Sequence, residues 1–302
     1  MRSSVDTGLV TRAEGALLWV ALDGREVPCV LRGRLKKKQL RVTSLVVVGD
    51  EVEVSLLPDG QGVIEDVKPR RTELVRPGFR GYALVTAANL DLLVVVQSAR
   101  QPAFQRSLVE RFLVTAARGG MKAIVVVNKC DLEKESLIRS WVEPLTGNGV
   151  EVLLTSATTG QGVEELRGRL QGLISCLAGK SGVGKSSLLN AMFPGLNLRT
   201  RPIAEWKDKG QHVTSASRLF PLPGGGYLAD TPGVKSLGLF EDAGEDIGGV
   251  FPEIVEAAGG CKFRDCSHTH EPSCAVKAAV EEGAIDEARY KSYVRLRRRD
   301  GP

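Results

Sequence analysis

Gly179-Lys180-Ser181-Gly182-Val183-Gly184-Lys185-Ser186-Ser187 is the stretch that decides the fold of this chain. It fits the pattern G-x-x-x-x-G-K-[ST] and stands between an apolar run (Leu173, Ile174, Cys176, Leu177) and a helical one (Leu188, Leu189, Ala191, Met192). A phosphate-binding loop requires that strand-loop-helix setting. Glycines at 179, 182 and 184 let the backbone turn tightly and point its N–H groups into a concavity for α- and β-phosphates, helped by the positive end of the following helix. Lys185 is expected to reach the β/γ oxygens, and the Ser186 hydroxyl to ligate Mg²⁺. A loop that merely joins a strand to a helix has no need of Lys-Ser after its last glycine.

Upstream of the loop, strand and helix patterns alternate. Leu90 to Val96 and Ala123 to Val127 are continuous apolar runs, expected of strands covered on both faces. Between them Leu108, Val109, Phe112, Leu113 and Ala116 keep helical spacing, which makes a βαβ unit. A helix through Leu137, Ile138 and Trp141, a strand over Val150 to Leu154 and a helix through Val163, Leu166 and Leu170 follow. The pattern predicts a doubly wound α/β domain with its ligand at the carboxyl ends of the strands.

At one such end stands Asn128-Lys129-Cys130-Asp131. A carboxylate there can accept from both N1–H and the exocyclic amine of guanine, a donor pair adenine lacks. Asn128 would brace the pocket and the Lys129 stem would cover the base. At the next strand end, Thr155-Ser156-Ala157 offers the Ala157 N–H to the guanine carbonyl. Beyond the loop helix, Asp230-Thr231-Pro232-Gly233 follows the apolar Tyr227-Leu228-Ala229. Asp230 can hold Mg²⁺ through water, and the Gly233 N–H can meet a γ-phosphate. These are four elements of a GTP site in an unusual order, base recognition first. A circular permutation leaves such a sheet intact because the termini of compact domains lie close together.

Gly8 to about Val67 alternates short β-rich runs with turn residues such as Asp23-Gly24 and Pro58-Asp59-Gly60, which predicts a five-stranded small barrel, either OB-like or SH3-like. A basic block (Arg32, Arg34, Lys36, Lys37, Lys38, Arg41) falls between its third and fourth strands, and Pro69 to Pro77 reads as a linker. Near the C-terminus, Cys261-x₄-Cys266-x-His268-x₅-Cys274 has the donors of a closed tetrahedral Zn²⁺ site, with His270 as a rival ligand. Helices over Ala275 to Glu282 and Ile285 to Leu296 follow, and a second basic block (Arg295, Arg297, Arg298, Arg299) ends the second. The expected division is 1–70 barrel, 71–240 permuted GTPase domain and 241–302 zinc-binding segment.

The 302 residues carry a net charge of +5, too small by itself to establish a polyanionic partner. Cys29, Cys130 and Cys176 stand apart in apolar or motif surroundings and are expected as free thiols. No apolar run is long enough to cross a bilayer and the N-terminus lacks a secretory core, so the cytoplasm is the expected compartment, with no membrane partner. Nothing in the pattern suggests a symmetric interface, and a monomer is expected.

The permuted motif order together with Cys-x₄-Cys-x-His-x₅-Cys, Gly210-Gln211-His212, Asp230-Thr231-Pro232-Gly233-Val234 and Cys261-Lys262-Phe263-Arg264-Asp265-Cys266 resembles the circularly permuted ribosome small subunit-dependent GTPase A (RsgA) family over nearly the whole chain. The resemblance implies an OB-fold, GTP, Mg²⁺ and Zn²⁺ as ligands, late maturation of the small (30S) ribosomal subunit with its 16S rRNA as partner, and GTP hydrolysis stimulated by that subunit. Val234 stands where many GTPases carry the glutamine that orients the attacking water. The family likeness assigns that task to His212, and Thr214 or Ser215 to Mg²⁺ sensing. A nucleotide-gated RNA-binding module with incidental turnover is the alternative, and a P-loop ATPase a third.

Overall fold

The computed structural model describes residues 5–35, 45–77, 83–195, 217–230 and 247–297. Strands β1 (Val5–Glu14), β2 (Leu17–Leu22), β3 (Arg25–Leu31), β4 (Glu51–Leu56) and β5 (Gly62–Val67) form a barrel in the order β1-β2-β3-β5-β4, closed by pairing of β4 with β1. Alternation drives it: Leu18, Val20 and Leu22 of β2 meet Val27, Cys29, Leu31 and Ile64 inside, while Trp19 between them is only half-buried. Asp23 and Gly24 both take positive φ (46° and 79°), as a two-residue hairpin turn demands. The parallel β3–β5 pairing and the closed strand order make this an OB-like barrel.

The barrel does not stop at a linker. A register shift between Val10 and Arg12 bends β1, and its far end pairs with β12 (Ser217–Pro221) through Arg12↔Arg218 and Ala13↔Ser217. One sheet therefore runs from the barrel into the order β12-β13-β11-β8-β9-β10, where β8 is Leu92–Ser98, β9 Lys122–Asn128, β10 Val152–Leu154, β11 Ile174–Ala178 and β13 Tyr227–Asp230. Within that stretch from β12 to β10 the pairings are parallel except β12–β13.

The expected linker at 69–77 is corrected. Glu73–Pro77 is a strand, β6, paired with β7 (Ala83–Ala88). Arg70 grips the fully buried Asp50 with two hydrogen bonds of 2.7 and 3.0 Å, and the Thr72 hydroxyl donates to the Leu90 carbonyl at 2.7 Å. Prolines and arginines disguised the strand, whose partner lies beyond it in sequence.

Side-chain alternation splits the central sheet between two cores. Leu93 and Val95 join Cys176 and Ala229 on one face, and Leu92, Val94 and Val96 join Leu177 and Leu228 on the other. Helices α3 (Val163–Leu170) and α4 (Lys185–Met192) cover the second face with Leu166, Leu170, Leu188 and Met192. The first is covered by α1 (Arg106–Arg118) and by the C-terminal α5 (Pro252–Ala258), α6 (Ala275–Glu281) and α7 (Glu287–Arg297). Helix α2 (Glu135–Thr146) packs Ile138 and Val142 on Val127 and Cys130.

An ionic cluster joins α7 to α1. Arg289, almost wholly buried, reaches Glu110 of α1 at 3.3 Å, pairs with Glu253, donates to the Val250 carbonyl at 2.8 Å and stacks 4.7 Å above the Phe251 ring. Burial, above all, raises the Glu110 carboxyl from its ordinary 4.5, against the pull of Arg289 and Arg106. Arg289→Met would strand two acids and is expected to cost about 3–5 kcal/mol in denaturant unfolding. A carboxyl raised in the fold favours folding below its unfolded value and loses that contribution as pH rises through its folded value. The deficit of the variant against wild type should therefore shrink as pH falls from neutral toward 4.5.

Candidate nucleotide and metal sites

Between β11 and α4 the phosphate loop runs at the carboxyl edge of the sheet, with φ of 147°, 85° and 94° at Gly179, Gly182 and Gly184. Two of these glycines are enforced by contact as well: a Cβ would lie 2.2 Å from the Val96 carbonyl oxygen at 179, and 2.2 Å from Asn128 Nδ2 at 184. Lys185 folds its ammonium back inside the loop, donating to the carbonyls of Gly179 (2.6 Å) and Lys180 (2.8 Å). Ser186 and Ser187 form the first turn of α4 beside it. Asp230 closes β13, the strand next to β11, and so reaches the same edge.

Asn128 joins the two halves of the site. Its Nδ2 donates to the Val183 carbonyl at 2.9 Å, while its Oδ1 accepts from the Thr155 hydroxyl and the Ala157 N–H, each at 3.3 Å. Lys129, in the left-handed region at φ 57°, donates to the Gly182 carbonyl at 2.7 Å and to that of Gln101. The strand end carrying Asn-Lys-Cys-Asp is thus hydrogen-bonded both to the loop that carries Lys-Ser and to the strand end that carries Ser-Ala. Asp131 lies exposed on the short turn Cys130–Leu132. The Ala157 N–H, expected to face a ligand, is here held by Asn128, and the buried Ser156 hydroxyl accepts from the Thr159 N–H at 3.1 Å. Cys130 is buried against Gln161, and Cys29, Cys130 and Cys176 take part in no disulfide. His212, Thr214, Ser215, Gly233 and Val234 lie outside the described residues.

Sequence reasoning missed the segment between β8 and α1. Its Gln101 carbonyl accepts from Lys129, its Pro102 ring lies 3.6 Å from where a Gly182 Cβ would stand, and Gln105 Oε1 accepts from Lys180 at 2.6 Å. No motif marks it. A cavity of about 760 Å³ sits elsewhere, at the amino ends of the strands, lined by Thr11, Arg25, Glu26, Ile174 and Tyr227. A doubly wound sheet binds ligand at the opposite edge.

Of the two basic blocks, Arg32 pairs with Glu65, Arg34 donates to the Glu65 carbonyl, and Arg297 donates to the Cys266 carbonyl (3.2 Å) and the Tyr293 hydroxyl (2.7 Å). Lys36, Lys37, Lys38, Arg41, Arg298 and Arg299 lie outside the described residues, and Arg295 is exposed.

Cys261, Cys266, His268 and Cys274 bring their donor atoms within 4.8 Å of one another, beside Tyr293 and Phe251. Cys261 Sγ and Cys274 Sγ are 3.9 Å apart, and each is 3.5 Å from His268 Nδ1. A tetrahedral zinc with ordinary bond lengths would set those edges at about 3.8 and about 3.6 Å. The donor set fits the ion. Burial, foremost, lowers the His268 pKa, which favours the neutral imidazole that a metal ligand requires. Burial pushes the Cys261 thiol up, but hydrogen bonds from the backbone N–H groups of Val276 and Ala275, together with those from the side chains of Cys274 and Cys266, hold the thiol below its ordinary value. The Tyr290 hydroxyl donates to the His268 carbonyl at 2.6 Å, fixing the turn. His270 points away, largely exposed.

A model of the RsgA GTPase family matches residues 67–240. The small ribosomal subunit biogenesis GTPase RsgA of Gemmatimonas aurantiaca is 40% identical over 298 residues, 96% of each chain, and that of Bacteroides fragilis 37% identical over 295 residues, 96% of this chain and 95% of the other. Among solved structures, YjeQ from Thermotoga maritima superposes with a TM-score of 0.77 at 35% identity over 97% of both chains. YloQ, described as a circularly permuted GTPase, does so with 0.72 at 32% identity, over 99% of this chain and 97% of the other.

Proposed function

The chain belongs to the RsgA GTPase family, and from that premise we propose that it acts in late maturation of the small (30S) ribosomal subunit. There it hydrolyses GTP to GDP and phosphate, and the loss of the γ-phosphate releases the protein or another factor from the particle. The observation that supports one shared nucleotide site most directly is Asn128, whose amide spans from the base-recognition strand end to the phosphate loop. In this reading Asp131 accepts from the guanine edge, Lys129 covers the base and Ala157 releases Asn128 to meet the guanine carbonyl. Lys185 turns from the Gly179 and Lys180 carbonyls to the β/γ oxygens. Ser186 and Asp230 hold Mg²⁺, which offsets charge on the phosphates. Gly233 meets the γ-phosphate, Thr214 or Ser215 senses Mg²⁺, and His212 orients the attacking water.

Zn²⁺ is held by Cys261, Cys266, His268 and Cys274, where it ties the start of α6 to the turn before it. The barrel and the two basic blocks face 16S rRNA, and the protein works as a monomer in the cytoplasm. No described helix is long and apolar enough to cross a membrane. The division 1–70, 71–240 and 241–302 describes functions rather than separate cores, since Phe251, Val276 and Tyr293 share one core with Leu93 and Val95.

Multiple-turnover phosphate release with and without purified small subunits tests the proposal. Wild type is expected to be strongly stimulated. His212→Ala should lose about 10²–10⁴-fold of the stimulated rate while binding GTP as before. Absence of stimulation in wild type would favour the nucleotide-gated RNA-binding module.

A further inference from the structure

Gln105 occupies the N-cap position of α1, yet its side chain caps nothing. Helices start best on Ser, Thr, Asp or Asn, whose short side chains reach back to the first N–H groups. The longer Gln105 instead reaches sideways, and its Oε1 accepts from the Lys180 ammonium at 2.6 Å. Lys180 is the second residue of the phosphate loop, and its own carbonyl accepts from Lys185 Nζ at 2.8 Å. A line of contacts therefore runs from the start of α1, through Lys180, to the phosphate-binding lysine.

The platform under Gln105 is rigid on both sides. Phe104, just before it, stacks on Trp141 of α2 with ring centroids 5.8 Å apart and planes at 18°. Arg106, just after it, pairs with Asp286 ahead of α7 at 2.5 Å. Such support is what lets a side chain hold a neighbour in one geometry.

We propose that Gln105 is a positioning residue for nucleotide binding: by holding the Lys180 side chain it fixes the loop backbone at that residue, and so keeps the phosphate loop in its receptive shape both before and after Lys185 turns to the phosphates. The proposal rests on reading the loop as a GTP site. It assigns Lys180 a role that its variable position in the G-x-x-x-x-G-K-[ST] pattern does not suggest. The bond is charge-assisted but exposed, so its effect on affinity is moderate.

The test is binding of a fluorescent methylanthraniloyl-GDP to full-length, zinc-loaded protein. Gln105→Leu and Lys180→Met are each expected to weaken binding about fivefold, through faster dissociation. The double variant should be no weaker than either single one, because both changes remove the same contact. Gln105→Glu, which can still accept from Lys180, should bind at least as tightly as wild type. Additive losses, a Gln105→Glu variant as weak as Gln105→Leu, or unchanged affinity in both single variants would each overturn the proposal. Melting of the nucleotide-free variants identifies any loss of fold, and Lys180→Met, on the exposed side of the loop, then carries the test by itself. Failure of wild type to bind the probe would sink the reading of the site instead.

Discussion

Asp131→Asn is expected to lose GTP affinity by about a hundredfold or more and to bind xanthosine triphosphate better than GTP. Guanine presents two donors, N1–H and the exocyclic amine, to a carboxylate that only accepts. Asparagine keeps the shape but turns one accepting oxygen into a donating amide, which faces the guanine amine donor to donor. Xanthine carries a carbonyl in place of that amine, and the pairing is restored. The turn that displays residue 131 is made by backbone atoms, with the Leu132 N–H donating to the Lys129 carbonyl at 3.1 Å, so the exchange leaves the scaffold alone. Competition of GTP, xanthosine triphosphate and ATP against a fluorescent GDP measures it. An unchanged preference would mean that the base is read elsewhere and would revive the ATPase alternative.

Removal of zinc is expected to loosen the C-terminal segment while leaving the nucleotide site folded. Structural zinc contributes on the order of 10 kcal/mol of binding free energy in zinc-finger peptides, and that energy is folding energy. Here the metal cluster is not isolated: Cys266 and Cys274 belong to the same core as Phe251, Val276 and Tyr293. After chelation, Cys261, Cys266 and Cys274 should react with a thiol reagent, and α5, α6 and α7 should lose hydrogen-exchange protection. The strands β8, β9 and β11, each with both faces covered, should keep theirs. Metal analysis before and after chelation gives the stoichiometry. Equal thiol reactivity and equal protection in the two states would show that the apolar core suffices to hold the segment.

Much of the site was legible in the residues themselves. Gly179 and Gly184 stand where any Cβ collides with a carbonyl or with Asn128, so the loop writes its geometry into its composition. Asn128 was expected to brace the pocket, and it links three segments; His268, not His270, sits among the thiols. The Ala157 N–H was expected to meet the guanine carbonyl, and here it donates to Asn128 Oδ1 at 3.3 Å. The residues from 69 to 77 misled, since charge and proline outweighed a strand only five residues long.

By itself the sequence determined whatever depends on neighbours a few positions apart. Glycine spacing, ligand spacing, the two-fold alternation of barrel strands and the apolar runs of buried ones are local signals, each produced by the repeat of the backbone that carries it. The tertiary structure alone decided which distant residues meet. Pairing of Ala13 with Ser217, burial of Arg289 between Glu110 and Glu253, and the hold of Gln105 on Lys180 join positions from 36 to more than 200 residues apart. No repeat in the chain encodes such contacts, because their stability comes from the shape and charge of a partner that exists only once the sheet has formed.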